Sequence, residues 1–228
     1  MPNYNSIMDI PTLGFGLMRL PKTADGKIDI EHSCRMVDAV MEKGFYYFDT
    51  AYVYDGGDSE RAVKEILTKR HPRESWTLAS KLPNTQLKSE ADRDRVLNES
   101  LERTGAAYFD FYLIHGINRN SYKVYEQFHC FEWLQEKKKE GKIRHGGFSF
   151  HDSPEVLDEI LTKHPEVEFV QLQINYKDWE ADNVQSRGVY EVAKKHGKPI
   201  IVMEPVKGGS LAQIKEDIGA EMKKARPD

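Results

Sequence analysis

Seven short apolar segments recur roughly every 32 residues along the chain, with more polar stretches between them. Strands at this spacing, separated by helical patterns, predict consecutive βα units and a parallel sheet. The segments are LGFG near Leu13, FYYFDT from Phe45, WTLASK from Trp76, DFYLIH from Asp110, IRHGGFSF from Ile143, EFVQLQIN from Glu168 and IIVMEP from Ile200.

The stretches between these segments carry the hydrophobic spacing of helices. Met36, Val37 and Val40 share one helical face, and Phe128, Phe131 and Leu134 form another that leads to Gly141. Ser89 and Asp92 have the spacing of a capping box, and Ser153 precedes a proline that suits the first helical position. Helix ends are predicted at four glycines: Gly44, Gly105, Gly141 and Gly197.

Alternating strands and helices fit either an open doubly wound sheet or a (β/α)8 barrel. An open sheet with a dinucleotide site requires G-x-G-x-x-G after its first strand. The first strand offers Gly14-Phe-Gly16-Leu-Met-Arg, with no third glycine and no immediate helix. We therefore predict an incomplete (β/α)8 TIM barrel of about seven βα units, as one domain over residues 1–228. Its chemistry should lie at the carboxyl ends of the strands.

Composition narrows the function classes. The chain has 228 residues, 33 basic and 37 acidic residues and a formal net charge of −4. This balance offers no basic surface for nucleic acid or anionic membrane. No apolar run is long enough for a transmembrane helix, and no signal peptide is evident. Two cysteines, Cys34 and Cys130, make neither a disulfide framework nor a metal cluster, so we expect a cytoplasmic protein.

Polar side chains follow three successive strands at the point where each is predicted to end. Asp49 ends the second strand, Tyr54 lies in the following loop, Lys81 ends the third strand and His115 ends the fourth. Each alone is more often a cap, a solvated residue or a packing residue. Three ionisable groups on adjacent strand ends would cost stability unless they pair or perform chemistry.

The combination permits one specific kind of chemistry. A tyrosine hydroxyl has a pKa of about 10, and a nearby ammonium such as Lys81 should lower it. Asp49 would hold Lys81 by ion pairing, and His115 would orient a carbonyl oxygen by a hydrogen bond. Such a group of residues fits protonation of an alkoxide during carbonyl reduction, with hydride from a nicotinamide.

These residues and their surrounding motifs resemble the aldo-keto reductase family. The segment FDTAYVYDGGDSE, residues 48–60, is similar to the family's strand-two motif, ASKLP contains Lys81, and FYLIHG contains His115. The resemblance runs from about Pro11 to Leu211. It implies NADPH- or NADH-dependent reduction of an aldehyde or ketone, with Tyr54 as the proton donor.

The resemblance also implies a set of cofactor-binding residues. Ser149 and Gln171 would contact the nicotinamide carboxamide, and Asp49 would lie near the nicotinamide ribose. Met203 stands where many members stack a tyrosine on the nicotinamide, and Phe150 stands where many have asparagine. The first loop contributes Gly16, Leu17 and Met18, and the loop after strand seven contributes the pyrophosphate cradle of Glu204, Pro205, Val206, Lys207, Gly208 and Gly209.

The MRLP and VMEPVKGG segments resemble a bacterial subgroup of the family. Some of its members carry a carboxyl-terminal [4Fe–4S] segment, which we expect here only if further sequence supplies a cysteine cluster. A last helix is predicted over 212–224, and an eighth strand is expected just after Asp228. We therefore expect a longer natural protein, whose additional residues would determine the choice between NADPH and NADH.

Two other hypotheses remain open at this point. In the first, the chain is a non-catalytic barrel that binds a nicotinamide and acts as a sensor or subunit. In the second, it is a fragment that binds no cofactor. The aromatic residues Tyr52 and Trp179 and the amide of Asn118 are expected in loops at the active rim, with Trp179 packed beneath its loop. The substrate's identity and the oligomeric state do not follow from the sequence.

Overall fold

Seven parallel strands form a curled sheet in which each strand pairs with the next along the chain. The computed structural model describes residues 10–213 and 216–225. All seven predicted strands are present, and the architecture is an incomplete (β/α)8 barrel. The strands are β1 (Gly14–Gly16), β2 (Tyr47–Asp49), β3 (Thr77–Pro83), β4 (Phe109–Ile117), β5 (Ile143–Phe150), β6 (Phe169–Gln173) and β7 (Ile200–Met203). The eighth strand expected after Asp228 lies outside the described residues.

Helices connect the strands and cover the outer face of the sheet. Of the helical face Phe128, Phe131 and Leu134, the last two lie on one helix that ends before Gly141, whereas Phe128 ends the preceding helix, because the helix is broken at His129. His129 has φ of 48°, a left-handed conformation that cannot continue a right-handed helix. The helices are α1 (Ile30–Glu42), α2 (Asp58–Val63), α3 (Ala91–Thr104), α4 (Arg119–Gln127), α5 (Cys130–Lys139), α6 (Pro154–Lys163), α7 (Ser186–Lys195) and α8 (Glu216–Ala225).

Two predicted helix starts differ in detail. Asp92 accepts the backbone N–H of Ser89 at 2.8 Å, as in a capping box, but the Ser89 hydroxyl donates to the same carboxylate at 3.0 Å. Only one of the two hydrogen bonds of a capping box is therefore present, and α3 begins without a side-chain cap. The last helix, α8, is described over Glu216–Ala225, and residues 212 and 213, which the prediction included, are not helical.

The core has two parts, one on each face of the sheet. The larger part lies between the sheet and the helices, and its largest fully buried side chains include Trp76, Trp133 and Phe48. The smaller part lies on the opposite face and consists of Tyr47, Ala79, Phe111, Leu113 and Phe169. These side chains fill the barrel interior, as side-chain layers do in TIM barrels. None of the helices in the described ranges is long and apolar enough to cross a membrane.

Candidate active site

Asp49, Lys81 and His115 lie on the interior face of the sheet, near the carboxyl ends of its strands. Side chains two positions apart in a strand point to the same face. Asp49 and Lys81 therefore follow Tyr47 and Ala79, both members of the interior cluster, by one layer. Strand alternation thus brings charged groups from neighbouring strands together directly above an apolar floor.

The Lys81 ammonium is the centre of this group. Its nitrogen Nζ lies 2.5 Å from Asp49 Oδ1, 2.7 Å from the carbonyl oxygen of Thr50 and 3.2 Å from Tyr54 Oη. Only 1% of the Lys81 side chain is exposed. Three oxygen partners satisfy all three N–H donors of the ammonium, so the buried charge is fully coordinated.

The pKa of Tyr54 differs in direction from the sequence prediction. Burial raises the pKa of Tyr54 above its ordinary value, and the Lys81 ammonium opposes this effect without reversing it. The negative charge of Asp49 also raises the pKa of Tyr54. The prediction of a lowered tyrosine pKa is therefore wrong for the protein without a ligand, because it counted the ammonium but not the burial.

Lys81 remains the cation of the group. Burial by itself lowers the pKa of Lys81, but the neighbouring Asp49 carboxylate and Tyr54 hydroxyl outweigh it and leave that pKa raised. A charged ammonium beside a protonated phenol is therefore the stable arrangement at neutral pH. The pair thus places a protonated hydroxyl beside a fixed positive charge.

His115 completes the group as a neutral imidazole. Its ring lies 5.8 Å from the Tyr54 ring, centre to centre, in an edge-on arrangement. Burial, together with the positive charge of Lys81 and the nearby His151, lowers the pKa of His115 to about 3. The backbone at His115 is fixed because the Tyr125 hydroxyl donates to its carbonyl oxygen at 2.6 Å. A neutral ring can donate one N–H to a substrate oxygen without competing to protonate it.

Two buried polar side chains from β5 and β6 border the group. Gln171 Nε2 donates to Asp49 Oδ2 at 3.0 Å, so this glutamine links the carboxylate to β6. Ser149 Oγ accepts the backbone N–H of Gly116 at 2.8 Å, which leaves the hydroxyl proton available to donate. The bond between Gln171 and Asp49 was not predicted, because β2 and β6 are not neighbouring strands and no strand register pairs the two residues.

The first loop divides its residues between the core and the rim. Leu17 is 1% exposed and belongs to the core, whereas Met18 is 48% exposed. The backbone N–H of Leu17 donates to the Asp49 carbonyl at 2.8 Å, and Gly16 pairs with Asp49 in the sheet. Of these two side chains, that of Met18 is therefore the one exposed enough to contact a bound molecule.

The loop after β7 bends back over the same rim. Arg19 donates from both terminal nitrogens to Glu204 Oε1, each at 3.1 Å, which joins the first loop to this one. Gly208 and Gly209 have φ of 63° and 94°, which glycine adopts at low cost. Pro205 and Val206 lie between these features. Arg19 was not among the predicted site residues, and only its place in the MRLP segment could have indicated it.

An open cavity of about 510 Å³ adjoins Tyr54 and His115. Lys22 and Asp55 form an ion pair of 2.7 Å at its wall, and the rest of the lining is mostly apolar: Leu17, Met18, Leu20, Ile28 and Val53, with Arg19. Three residues expected at the rim are not among those that line this cavity. The Tyr52 hydroxyl donates to Glu99 at 2.5 Å, Asn118 caps α4, and the Trp179 ring packs against Tyr190 of α7.

Glu60, from the motif that opens α2, is fully buried beside the site. It accepts the Ser80 hydroxyl at 2.7 Å and pairs with Arg103 at 3.2 Å. Since Ser80 directly precedes Lys81, this pair fixes α2 and α3 to the strand that carries the ammonium. The sequence motif marked Glu60, but its partner Arg103 lies 43 positions away and carried no signal.

Several known proteins are similar to this chain in sequence. The oxidoreductase YqkF of Bacillus subtilis is 27% identical over 230 residues, which cover 96% of this chain and 68% of YqkF. An aldo-keto reductase of Mycolicibacterium smegmatis is 29% identical over 152 residues, 67% of this chain and 50% of the relative. This chain thus spans half to about two thirds of the length of these relatives.

A solved structure shares the fold. An aldo-keto reductase of Klebsiella pneumoniae, crystallised with NADPH, superposes with a TM-score of 0.70 at 21% identity, over 96% of this chain and 73% of that one. The model of the Aldo/keto reductase family matches residues 12–228. The chain belongs to the aldo/keto reductase family.

Proposed function

We propose that this protein reduces aldehyde or ketone carbonyls to alcohols with a nicotinamide cofactor, and that Tyr54 donates the proton. The observation that carries the proposal is the 3.2 Å contact between Tyr54 Oη and a buried Lys81 ammonium that is itself held by Asp49. A protonated phenol beside a fixed cation is suited to deliver a proton to an oxygen as negative charge develops on it. Membership of the family supports the same assignment.

The residues around the group match the needs of a nicotinamide carboxamide, which requires both a donor and an acceptor. Ser149 keeps a hydroxyl proton to donate, and Gln171 keeps its carbonyl oxygen while its Nε2 serves Asp49. Gly16 and Met18 would border the ring, and Met203 would offer a soft apolar contact. A reduced nicotinamide bound here would supply the hydride for the carbonyl carbon.

The loop Glu204–Gly209 would receive the pyrophosphate of the cofactor. Its two left-handed glycines, Gly208 and Gly209, permit close approach of an anionic group to the backbone. The Klebsiella neighbour was crystallised with NADPH, so we propose NADPH as the preferred reductant. Parallel titrations with NADPH and NADH test that preference.

Each residue of the group has a distinct role in the proposed reaction. His115, neutral at physiological pH, donates a hydrogen bond to the carbonyl oxygen and orients it. Tyr54 transfers its proton to that oxygen as the carbon accepts hydride, which completes the alcohol. Lys81 stabilises the tyrosinate that remains, and Asp49 holds Lys81 in place until solvent returns a proton to Tyr54.

The open, mostly apolar cavity next to Tyr54 favours a small carbonyl compound with an apolar substituent. The test is oxidation of NADPH by the purified protein across a panel of aldehydes and ketones, followed by absorbance. The proposal predicts turnover with members of this panel and none without a carbonyl compound. Tight NADPH binding with no turnover on any carbonyl would contradict it and favour a non-catalytic barrel.

A further inference from the structure

Asp178, in the loop after β6, is a buried carboxylate with no part in the proposed proton transfer. Only 3% of its side chain is exposed. Gln173 Nε2 and Asn175 Nδ2 donate to its Oδ2 at 2.8 Å and 2.7 Å, and Lys207 pairs with its Oδ1. The hydrogen bond from Lys207, with those from the two amides, lowers the pKa of Asp178 to about 2. This carboxylate is therefore ionised and connected on both oxygens.

The partners of Asp178 lead to the loop after β7. Glu204 and Lys207 have φ of 55° and 48°, a left-handed conformation that residues with a Cβ rarely adopt. Lys207 reaches Asp178 through its ammonium, and the Glu204 carbonyl accepts Asn175 Nδ2 at 3.2 Å. The two disfavoured positions of the loop are thus the two that are tied to the Asp178 group.

Stability alone does not account for this arrangement. Burying the Asp178 carboxylate takes a charged group out of water, while Lys207 stays partly exposed, and apolar side chains of similar volume often stabilise a fold at least as well as a buried charge. A carboxylate with fixed donors specifies one geometry, however, and here it specifies the positions of Glu204 and Lys207. Those residues flank the segment that precedes Gly208 and Gly209.

We propose that Asp178 is a positioning residue that holds the loop Glu204–Gly209 in the shape that receives the pyrophosphate of the cofactor. The inference rests on the proposed nicotinamide function. It also assigns Lys207 a particular role. Because its ammonium is committed to Asp178, Lys207 shapes the loop instead of contacting a phosphate, and the loop binds the anion through its backbone.

The test compares NADPH binding by fluorescence titration in the wild-type protein, Asp178→Asn and Lys207→Met. Asp178→Asn keeps the shape of the side chain but removes the charge that holds Lys207. We expect NADPH affinity to fall on the order of tenfold in each variant, and no further in the double variant, since both changes release one contact. Asp178→Glu, which keeps the charge, should recover part of the affinity.

The control is Asp158→Asn on α6, which removes a partly exposed carboxylate that contacts Lys195 and His196, away from the site. It should bind NADPH as the wild-type protein does. Unchanged affinity in Asp178→Asn, beside normal binding by the wild type, would overturn the positioning role and leave the proposed function intact. A wild-type protein that binds no NADPH would overturn both.

Salt dependence separates the two possible roles of Lys207, and it serves also if Asp178→Asn does not fold. A lysine that contacts phosphate contributes to the decrease of affinity with ionic strength, whereas a lysine that shapes the loop does not. We expect Lys207→Met to weaken binding with the same salt dependence as the wild type. A shallower dependence in Lys207→Met would overturn the inference.

Discussion

The nitrogen of Lys81 lies 3.2 Å from the hydroxyl oxygen of Tyr54 and 2.5 Å from Asp49 Oδ1, so one buried ammonium joins the proposed acid to a carboxylate. The order of contacts runs from Asp49 on β2 to Lys81 on β3 and then to Tyr54 in the loop after β2. Because burial holds the pKa of Tyr54 above its ordinary value, the phenol stays protonated at neutral pH. This protonated state is the one that the proposed proton donation to a carbonyl oxygen requires.

Replacing Lys81 with methionine should lower kcat/KM for carbonyl reduction by about 100-fold or more, the usual scale for general acid catalysis. The variant also removes the charge that opposes burial at Tyr54, so the pKa of Tyr54 should rise further. Alcohol oxidation, which needs the tyrosinate, should then require a higher pH. The measurement is a pH profile of oxidation with Lys123→Met, an exposed lysine of α4, as control. An unshifted profile in Lys81→Met would contradict the tuning role.

The low pKa of His115 predicts a pH response that an ordinary histidine would not give. With a pKa of about 3 in the folded state, His115 remains neutral throughout the neutral and mildly acidic range. Titration of His115 should therefore cause no change in kcat/KM for reduction near pH 6.5. Any inflection seen there should persist in His115→Gln. NMR titration of the imidazole is the direct check, and a midpoint between about 6 and 7 would contradict the prediction.

The same shift predicts loss of stability in acid. Below pH 6.5 the unfolded chain protonates this histidine, whereas the folded protein does not until about pH 3. The unfolded state thus binds more protons, and stability falls as the pH decreases through this window. His115→Gln should lose less stability between those two pH values than the wild type, as measured by urea unfolding. Equal losses would contradict the neutral, buried state of His115.

Removing the carboxylate at Asp49 should strand the buried ammonium of Lys81. Asp49→Asn should lower the free energy of unfolding by about 3–5 kcal/mol, the cost of an unpaired buried charge, as measured by urea denaturation. The double variant with Lys81→Met should recover part of this loss. The matched control, Asp38→Asn, breaks an ion pair to Arg70 that is about one third exposed on each side and a contact with His71, and it should cost no more than about 1 kcal/mol. Equal losses in the two single variants would contradict the buried pairing.

Two adjacent glycines of β5 test the register of β5 against β6. A Cβ on Gly147 would lie 2.6 Å from the carbonyl oxygen of Phe169, whereas one on Gly146 would meet only Leu134 and Lys138 at 3.6 Å or more. Gly147→Ala should therefore destabilise the fold by about 1–3 kcal/mol. Gly146→Ala should change it by less than about 1 kcal/mol. The reverse order of melting temperatures would contradict the described register.

The sequence predicted the features that depend on local pattern. The strand spacing indicated the barrel, and strand alternation brought Asp49, Lys81 and His115 to one edge because successive side chains point to opposite faces. Burial of Tyr54 could not be foreseen in the same way, since it depends on side chains packed from distant segments. The direction of its pKa shift was consequently wrong.

Long-range pairings carried no pattern that the sequence could reveal. Arg19 and Glu204 are 185 positions apart, and Asp178 and Lys207 belong to loops whose contact depends on the closeness of β6 and β7. The helix break at His129 likewise depends on a left-handed backbone that no glycine or proline marks. Such features follow from tertiary packing, which overrides local propensity.

The most direct measurement of the central claim is single-turnover carbonyl reduction by Tyr54→Phe, with NADPH binding titrated on the same preparation. The account predicts that the variant binds NADPH as tightly as the wild type, because the lost hydroxyl contacts Lys81 and not the cofactor loops. Reduction should fall by at least about 100-fold, because the proton donor is gone. Reduction by Tyr54→Phe at a rate close to that of the wild type would contradict the account.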